Sequence, residues 1–306
     1  MNKEKNSRFR GARLREKAAG YAFTMPAVLF VVLLVIYPLG YNVLLSFKNV
    51  TLRNFNGKQD FIGLQNYIQL FGDKVFRRAV VNTLVFTVAS IVFQMIIGFF
   101  LALLFSKSFP LCNLARGLLM VCWLIPVMSF ATLFKWIFAG NESGILNYFM
   151  LRIGLIQKPI SWLTNGTTAM VALILANIWR GVPFNMMLIS SGMTTIPGDI
   201  YDACKVDGVS KWNEILHVTI PLLKPTLVST VTLGFVYTFK AFDLIYVMTN
   251  GGPLNMTQVL ATLSYKYTFN DFNFSIGAAA ADVMLLILMV VGFFNLKAME
   301  VDEVSE

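Results

Sequence analysis

The chain has 306 residues, of which 57% are hydrophobic and only 13% are charged, with a formal net charge of +9. Soluble domains carry roughly 25% charged residues, so this chain is depleted in charge by about half. It also has uninterrupted apolar runs of about 18 residues or more, which a soluble core does not explain and which match the thickness of a bilayer. Because the runs are continuous rather than alternating, they argue against a β-barrel and predict an all-α polytopic membrane protein.

The predicted elements begin with a basic segment, in which seven lysine and arginine residues precede position 20. The apolar run from Tyr21 to Leu45 exceeds the roughly 7–15 apolar residues of a signal peptide, so it is interpreted as an uncleaved anchor. The positive-inside rule places the N-terminus in the cytoplasm, and six spans return the C-terminus to the same side. The predicted spans are 22–46, 78–106, 110–138, 168–192, 222–247 and 273–296. They divide the chain into a basic tail over 1–20, a six-helix transmembrane domain over 21–298 and a C-terminal tail over 299–306.

Residue types that build metal and catalytic centres are scarce. The chain has three cysteines without paired spacing, Cys112, Cys122 and Cys204, and a single histidine, His217. A structural zinc site needs four such ligands at characteristic spacings, so no metal site is predicted. The sequence also lacks the glycine-rich phosphate loop of ATP-binding chains. The net positive charge is interpreted as membrane topology rather than nucleic-acid binding.

The long loop over 193–221 is polar and carries helix boundary signals. Pro197 suits the start of a helix, Gly208 suits a left-handed helix end, and Ser210 can cap a second helix. Two short helices at an angle are therefore predicted, about 198–207 and 211–219. The second is amphipathic, with an apolar face formed by Trp212, Ile215, Leu216 and Thr219. Such short helices need a docking surface, and the residues alone leave open whether that surface is the chain's own bundle or a partner.

The same loop resembles the cytoplasmic signature of binding-protein-dependent ABC importer permeases: E-A-A, three residues, glycine, nine residues, then I-x-L-P. Asp202, Ala203 and Cys204 stand at E-A-A, Gly208 at the glycine and Pro221 at the proline. Five further segments, which follow one another in the order expected for the family, are similar to the carbohydrate-importer branch of these permeases. Within that branch, the chain resembles the first of the two permeases that pair in maltose-type transporters. The five segments are "NTLVFTVAS" (82–90), "IGFFLALL" (97–104), "WRGVPF" (179–184), "AFDLIYVMTNGGP" (241–253) and "FSIGAAAA" (274–281).

The resemblance implies a type I ABC importer permease fold of six helices with a cytoplasmic coupling helix, in a multi-pass protein of the cytoplasmic membrane. It implies four kinds of partner: a second homologous permease, a cytoplasmic ATPase dimer that binds ATP and Mg²⁺, an extracellular sugar-binding protein, and an oligosaccharide. This chain would then be non-catalytic and hold no cofactor. The residues implied in ATPase coupling are Asp202, Ala203, Cys204, Gly208, Trp212 and Pro221.

Polar and aromatic residues within the predicted spans are candidates for the substrate path. They are Asn82, Gln94, Asn177, Trp179, Arg180, Asn185, Phe239, Asp243 and Tyr246. A charge costs about 2.5–3.5 kcal/mol at the centre of a bilayer, which makes Arg180, Lys240, Asp243 and Asp282 notable. Two interpretations stay open for these charges: contact with sugar hydroxyls, or mutual neutralisation between helices. Helix packing is the alternative for the amides and aromatics, and close packing is the interpretation of the small residues from Gly277 to Ala281.

The loop "TNGGPLNMT" (249–257) predicts a sharply turned outer segment, and Gly251, Gly252 and Pro253 are its candidate docking residues for a binding protein. A simple chain reversal is the alternative. Two other function classes compete with the importer subunit. An ion-coupled secondary transporter would require intramembrane acids and inverted repeats. An intramembrane enzyme would require a clustered acid–base or metal centre, which one loop histidine cannot supply.

Overall fold

The computed structural model of the protein describes residues 20–107 and 109–303. Within these ranges the chain is helix, turn and loop, with two isolated β-bridges and no strand. The helices are α1 Gly20–Ser46, α2 Gln65–Gly72, α3 Lys74–Phe105, α4 Cys112–Leu124, α5 Val127–Ile137, α6 Ile145–Arg152, α7 Gly166–Met193, α8 Gly198–Val206, α9 Lys211–Leu222, α10 Lys224–Phe239, α11 Asp243–Met248, α12 Leu260–Tyr265 and α13 Phe274–Glu303. The predicted basic tail lies outside the described residues except for Gly20, as do residues 304–306 of the predicted C-terminal tail.

Four helices, α1, α3, α7 and α13, are long and apolar enough to cross a membrane unbroken, and each coincides with a predicted span. The start of α3 at Lys74, earlier than the predicted 78, has a local cause. The Asp73 carboxylate accepts a hydrogen bond from the Val75 amide at 2.9 Å and so caps the helix. The chain therefore crosses the membrane several times, as predicted.

Two predicted spans, 110–138 and 222–247, are not continuous helices. The first is divided into α4 and α5, which meet at 98°, because Ile125 precedes Pro126 and takes an extended conformation. The second is divided into α10 and α11 by residues 240–242, and α10 meets the preceding α9 at 70°. By length and composition, the bent pairs α4–α5 and α9–α10 can each count as one span, which gives up to six spans, the predicted number.

The connections between the helices lie at two opposite ends of the bundle. At one end, Asn82 at the start of α3 binds the 249–258 turn, and the Val50 amide donates to Ser275 Oγ at the start of α13. At the other end, Phe105, Cys112 and Leu223 share one apolar cluster with the end of α7. The turn over 106–111 and the segment over 194–223 therefore lie at the same end, opposite the longer loops.

Small residues allow the central helices to approach closely. A Cβ at Gly98 of α3 would stand 3.1 Å from Asn185 Cβ of α7, and one at Gly277 would overlap Thr268 Oγ1. Ala278, Ala279 and Ala280 are buried next to that glycine, so the run of small residues packs as predicted. By contrast, the apolar part of α1 is exposed and lies at the edge of the bundle.

Candidate functional site

The two helix breaks face a common cavity of about 340 Å³. Trp123 and Val127 reach it from the break between α4 and α5, and residues 240–243 reach it from the break between α10 and α11. Helices α3, α7 and α10 supply the rest of the lining. Non-helical backbone at membrane depth is tolerated where it lines a cavity or is buried in protein, so the breaks mark this cavity as the candidate site.

One wall of the cavity is an amide network between α3 and α7. Gln94 Nε2 donates to the main-chain carbonyl oxygen of Asn177 at 2.9 Å. Asn185 Nδ2 donates to Gln94 Oε1 at 3.2 Å and to the main-chain carbonyl oxygen of Gly181 at 2.9 Å. A Cβ at Gly181 would stand 2.3 Å from Gln94 Cδ, so only glycine lets this glutamine lie against the helix. The network fixes the side-chain amides of Gln94 and Asn185 against the main chain of α7.

Two hydrogen-bond donors on the same wall have no acceptor among the described residues. They are Asn177 Nδ2 and Arg180 Nε, both buried and both on residues that line the cavity. The Asp243 carboxylate lies within electrostatic range of the Arg180 guanidinium. A buried donor without an acceptor costs about 1–3 kcal/mol, so an incoming ligand oxygen at these atoms would recover that free energy.

A second part of the cavity lining is aromatic. The rings of Trp123 and Phe184 stack with centroids 5.2 Å apart and planes 11° apart, and Phe184 meets Tyr237 edge-on at 6.2 Å. Lys240 Nζ lies 5.2 Å from the centre of the Tyr237 ring, so it turns toward the cavity rather than outward. Sequence reasoning did not select these aromatic residues, although Phe184 belongs to the "WRGVPF" segment.

The predicted substrate-path residues divide into two groups. Gln94, Asn177, Arg180, Asn185 and Asp243 all line the cavity. The other four lie outside it: Asn82 binds the Met256 and Gln258 carbonyls, Trp179 is 57% exposed on the outer face of α7, Phe239 is buried against Phe235, and Tyr246 stacks on Phe242. Asn82, Phe239 and Tyr246 therefore have packing or positioning contacts in place of a cavity contact, and Trp179 is mostly exposed.

Asp282 lies away from the cavity, between α1, α2 and α13. Its carboxylate is 5% exposed and accepts hydrogen bonds from Asn42 Nδ2 at 2.7 Å and from the Tyr67 hydroxyl at 2.9 Å. Tyr67 also contacts Ser46 Oγ at 2.7 Å. This network is one of the polar connections between the peripheral α1 and the rest of the bundle.

Replacing Asp282 by leucine is expected to lower the free energy of unfolding by about 1–3 kcal/mol, because the half-buried Asn42 amide and Tyr67 hydroxyl each lose an acceptor. Asp282→Asn keeps an acceptor and the shape of the side chain, so it is the matched control and should cost much less. The measurement is thermal unfolding of both purified variants. A leucine variant as stable as the parent protein would show that the network contributes nothing.

The segment over 197–222 forms a bent pair of short helices at the opposite end from the long loops. Gly208 has a φ of +67° between α8 and α9, and Ser210 Oγ accepts from the Asn213 amide, as the sequence predicted. Asp202 pairs with Lys205 at 2.7 Å, and this hydrogen bond and the carboxylate charge raise the pKa of Lys205. Thr219 is buried, but Trp212 is 63% and Leu216 53% exposed, so most of the predicted apolar face is uncovered in this chain.

The 249–258 turn at the other end is internally bonded. Gly251 has a φ of +77°, and a Cβ there would stand 2.2 Å from Gln258 Cδ. Thr257 Oγ1 donates to the Gly252 carbonyl, and Asn82 holds the carbonyls of Met256 and Gln258. The turn is therefore fixed to α3, with the Leu254 side chain 89% exposed at its tip.

Comparison with known families decides the class of the protein. Residues 94–300, which include the cavity, the bent helices and the turn, match the family described as binding-protein-dependent transport system inner membrane component. The chain belongs to this family. The broken helices around the cavity are thus features of an inner membrane component of a transport system, and the multi-pass architecture agrees with it.

This inner membrane component is also similar to known permeases over nearly its whole length. It is 31% identical to the lactose transport system permease protein LacF of Rhizobium radiobacter, over 91% of this chain and 93% of LacF. It is 29% identical to the trehalose/maltose transport system permease protein MalF of Thermococcus litoralis, over 92% of each. Its fold is similar to a chain of a bacterial ABC transporter involved in import of the acidic polysaccharide alginate, with a TM-score of 0.81, 20% identity and 94% and 97% of the two chains covered.

Proposed function

We propose that this chain is one permease subunit of an ATP-driven, binding-protein-dependent importer of sugars or oligosaccharides, and that it forms half of the translocation pathway. The observation that carries the proposal is the cavity between the helix breaks, whose lining combines aromatic rings with Asn177 and Arg180, two residues that each have a buried donor without an acceptor in the described residues. Sugars present hydroxyl oxygens at their edges and apolar faces on their rings, which match these two parts of the lining. The sugar transport names of LacF and MalF support the same class.

A separate ATPase dimer supplies the energy in this proposal, and it binds ATP and Mg²⁺ while this chain is non-catalytic. The bent helices α8 and α9 are the coupling element, with Asp202, Ala203 and Cys204 in α8, Gly208 at the bend, and Trp212 and Pro221 in α9. The exposed Trp212 and Leu216 side chains support docking into a groove of another protein. In this proposal, α8 and α9 move with the ATPase when it closes, and they transmit that closure to the bundle as a rigid-body movement.

The remaining partners follow from the two ends of the bundle. With α8 and α9 in the cytoplasm, both termini are cytoplasmic and the 249–258 turn is extracellular. The extracellular binding protein then docks at Gly251, Gly252 and Pro253. The turn is hydrogen-bonded to Asn82 of α3, so docking there can move a helix that lines the cavity. A second homologous permease closes the pathway from the other side.

Reconstitution of the complete transporter tests this function. The chain is placed in vesicles with the second permease, the ATPase and the binding protein encoded with it, and uptake of the oligosaccharide that the binding protein retains is measured. Uptake should require both ATP and the binding protein. Uptake driven by an ion gradient without ATP would contradict the proposal and favour a secondary transporter.

Trp212→Ala should weaken association with the ATPase by roughly tenfold to hundredfold, since aromatic anchors at the centre of an interface contribute about 2 kcal/mol or more. The measurement is the amount of ATPase that co-purifies with the membrane subunits at increasing dilution. Tyr237→Ala, which removes an aromatic ring from the cavity, is the matched control and should leave ATPase binding unchanged. Equal ATPase binding by the parent protein and Trp212→Ala would place the anchor elsewhere.

A further inference from the structure

A second cavity, of about 560 Å³, lies beside the turn between α3 and α4. It is at the end of the bundle that carries α8 and α9, since Phe105 and Cys112 share an apolar cluster with Leu223. Its lining includes two basic residues, Lys107 and Arg116, and the amide side chain of Asn113. Neither basic residue pairs with a carboxylate in the part of the chain that the structure describes.

Arg116 is held in place by the end of α3. Its Nη2 donates to the Phe105 carbonyl oxygen at 2.6 Å, and its guanidinium lies 5.9 Å from the centre of the Phe105 ring. An arginine has five N–H donors, and the Nε donor here is buried without an acceptor in the described residues. The guanidinium is thus fixed, charged and only partly hydrogen-bonded, which favours an anionic acceptor from the cavity.

The first turn of α4 adds to this preference for an anion. Leu111 precedes the helix with a φ of 64°, and no side chain caps the helix start. The N-terminus of a helix carries partial positive charge from its free amide groups. The cavity therefore combines two cationic side chains with an uncapped helix start, and no carboxylate lines it.

Apolar side chains surround the same cavity on the outer surface. Leu111 and Leu114 are exposed, as is Phe109, whose ring stacks on Phe105 with centroids 5.9 Å apart. The exposed side chains of Leu104 and Leu118 continue this apolar surface along α3 and α4. A ligand at this site therefore meets positive charge at its head and a lipid-facing helix surface along its tail.

We propose that this cavity binds the phosphate headgroup of an anionic phospholipid, with Lys107 and Arg116 as the phosphate ligands. The basic N-terminal segment of this chain has the wrong charge to occupy it. Basic pockets at the ends of transmembrane helices attract anionic headgroups, and each lysine or arginine near the membrane surface strengthens binding about fivefold. Bound there, the lipid would secure the end of α4, whose other end lines the transport cavity through Trp123.

The test uses the complete purified transporter and native mass spectrometry after incubation with phosphatidylglycerol or with phosphatidylcholine. The parent protein should retain phosphatidylglycerol in preference, and the double variant Lys107→Gln/Arg116→Gln should bind it about thirtyfold more weakly. Lys107→Gln alone, which removes no internal hydrogen bond, should lose about fivefold. Lys158→Gln, an exposed lysine in the loop between α6 and α7, removes the same charge and should have no effect.

Three outcomes would overturn the proposal. Equal retention by the double variant and the parent protein would exclude the cavity as a lipid site. Competition by inorganic phosphate, without preference for phosphatidylglycerol over phosphatidylcholine, would assign a soluble phosphate ligand. Loss of the second permease or the ATPase from the double variant would assign the surface to a subunit contact.

Discussion

Gly208→Val is expected to reduce ATP-dependent uptake by about tenfold to hundredfold while the protein still reaches the membrane. Gly208 has a φ of +67°, in the left-handed region that a β-branched side chain does not adopt without strain. Strain of this kind costs about 1–3 kcal/mol, which shifts the bend between α8 and α9 toward other conformations. Because no atom lies within 4 Å of a Cβ at this position, the effect comes from the backbone rather than from a clash.

Gly208→Asn is the matched control, since asparagine tolerates the left-handed region and the position has room for its side chain. Uptake rate, amount in the membrane and ATPase co-purification are measured for both variants. Normal uptake by the valine variant would show that the bend is not needed. An asparagine variant as impaired as the valine variant would indicate that a partner surface excludes any side chain there, so backbone strain would not be the cause.

The contrast between the bend and the helix breaks shows what a sequence can specify. The bend was predictable because its signals are local: a proline before α8, a glycine after it and Ser210 before α9. Pro126 gives an equally local signal for the first break, but the apolar run around it led to the prediction of a continuous span. The break at 240–242 contains neither glycine nor proline, so the local sequence gives no signal for it, and α11 after the break packs against the distant α5.

The candidate site was predictable in its polar half and not in its aromatic half. Buried amides and charges in a membrane span are costly, so Gln94, Asn177 and Arg180 were marked by their residue type. A tryptophan in a membrane span does not indicate a site in this way, because its side chain is also found on lipid-facing surfaces. Trp123 lines the cavity and Trp179 does not, a difference that is set by helix packing and not by composition.

Replacing Arg180 by glutamine is expected to reduce uptake about tenfold to hundredfold, since a hydrogen bond to a charged group contributes about 1.5–3 kcal/mol. Arg180 lines the transport cavity with a donor that has no acceptor within the described chain. The single variant also leaves Asp243 without its neighbouring positive charge, so lower uptake alone has two explanations. Uptake must therefore be compared with that of the double variant Arg180→Gln/Asp243→Asn.

The double variant separates contact with the ligand from charge neutralisation between helices. If Arg180 binds the passing ligand, removing Asp243 as well cannot restore the lost donor, and uptake should stay low in a transporter of normal stability. If the arginine only neutralises Asp243, the double variant should recover most of the uptake and the thermal stability that the single variant loses. Such recovery would contradict a ligand contact and assign the pair to helix packing, because an uncompensated charge at this depth is costly whichever residue carries it.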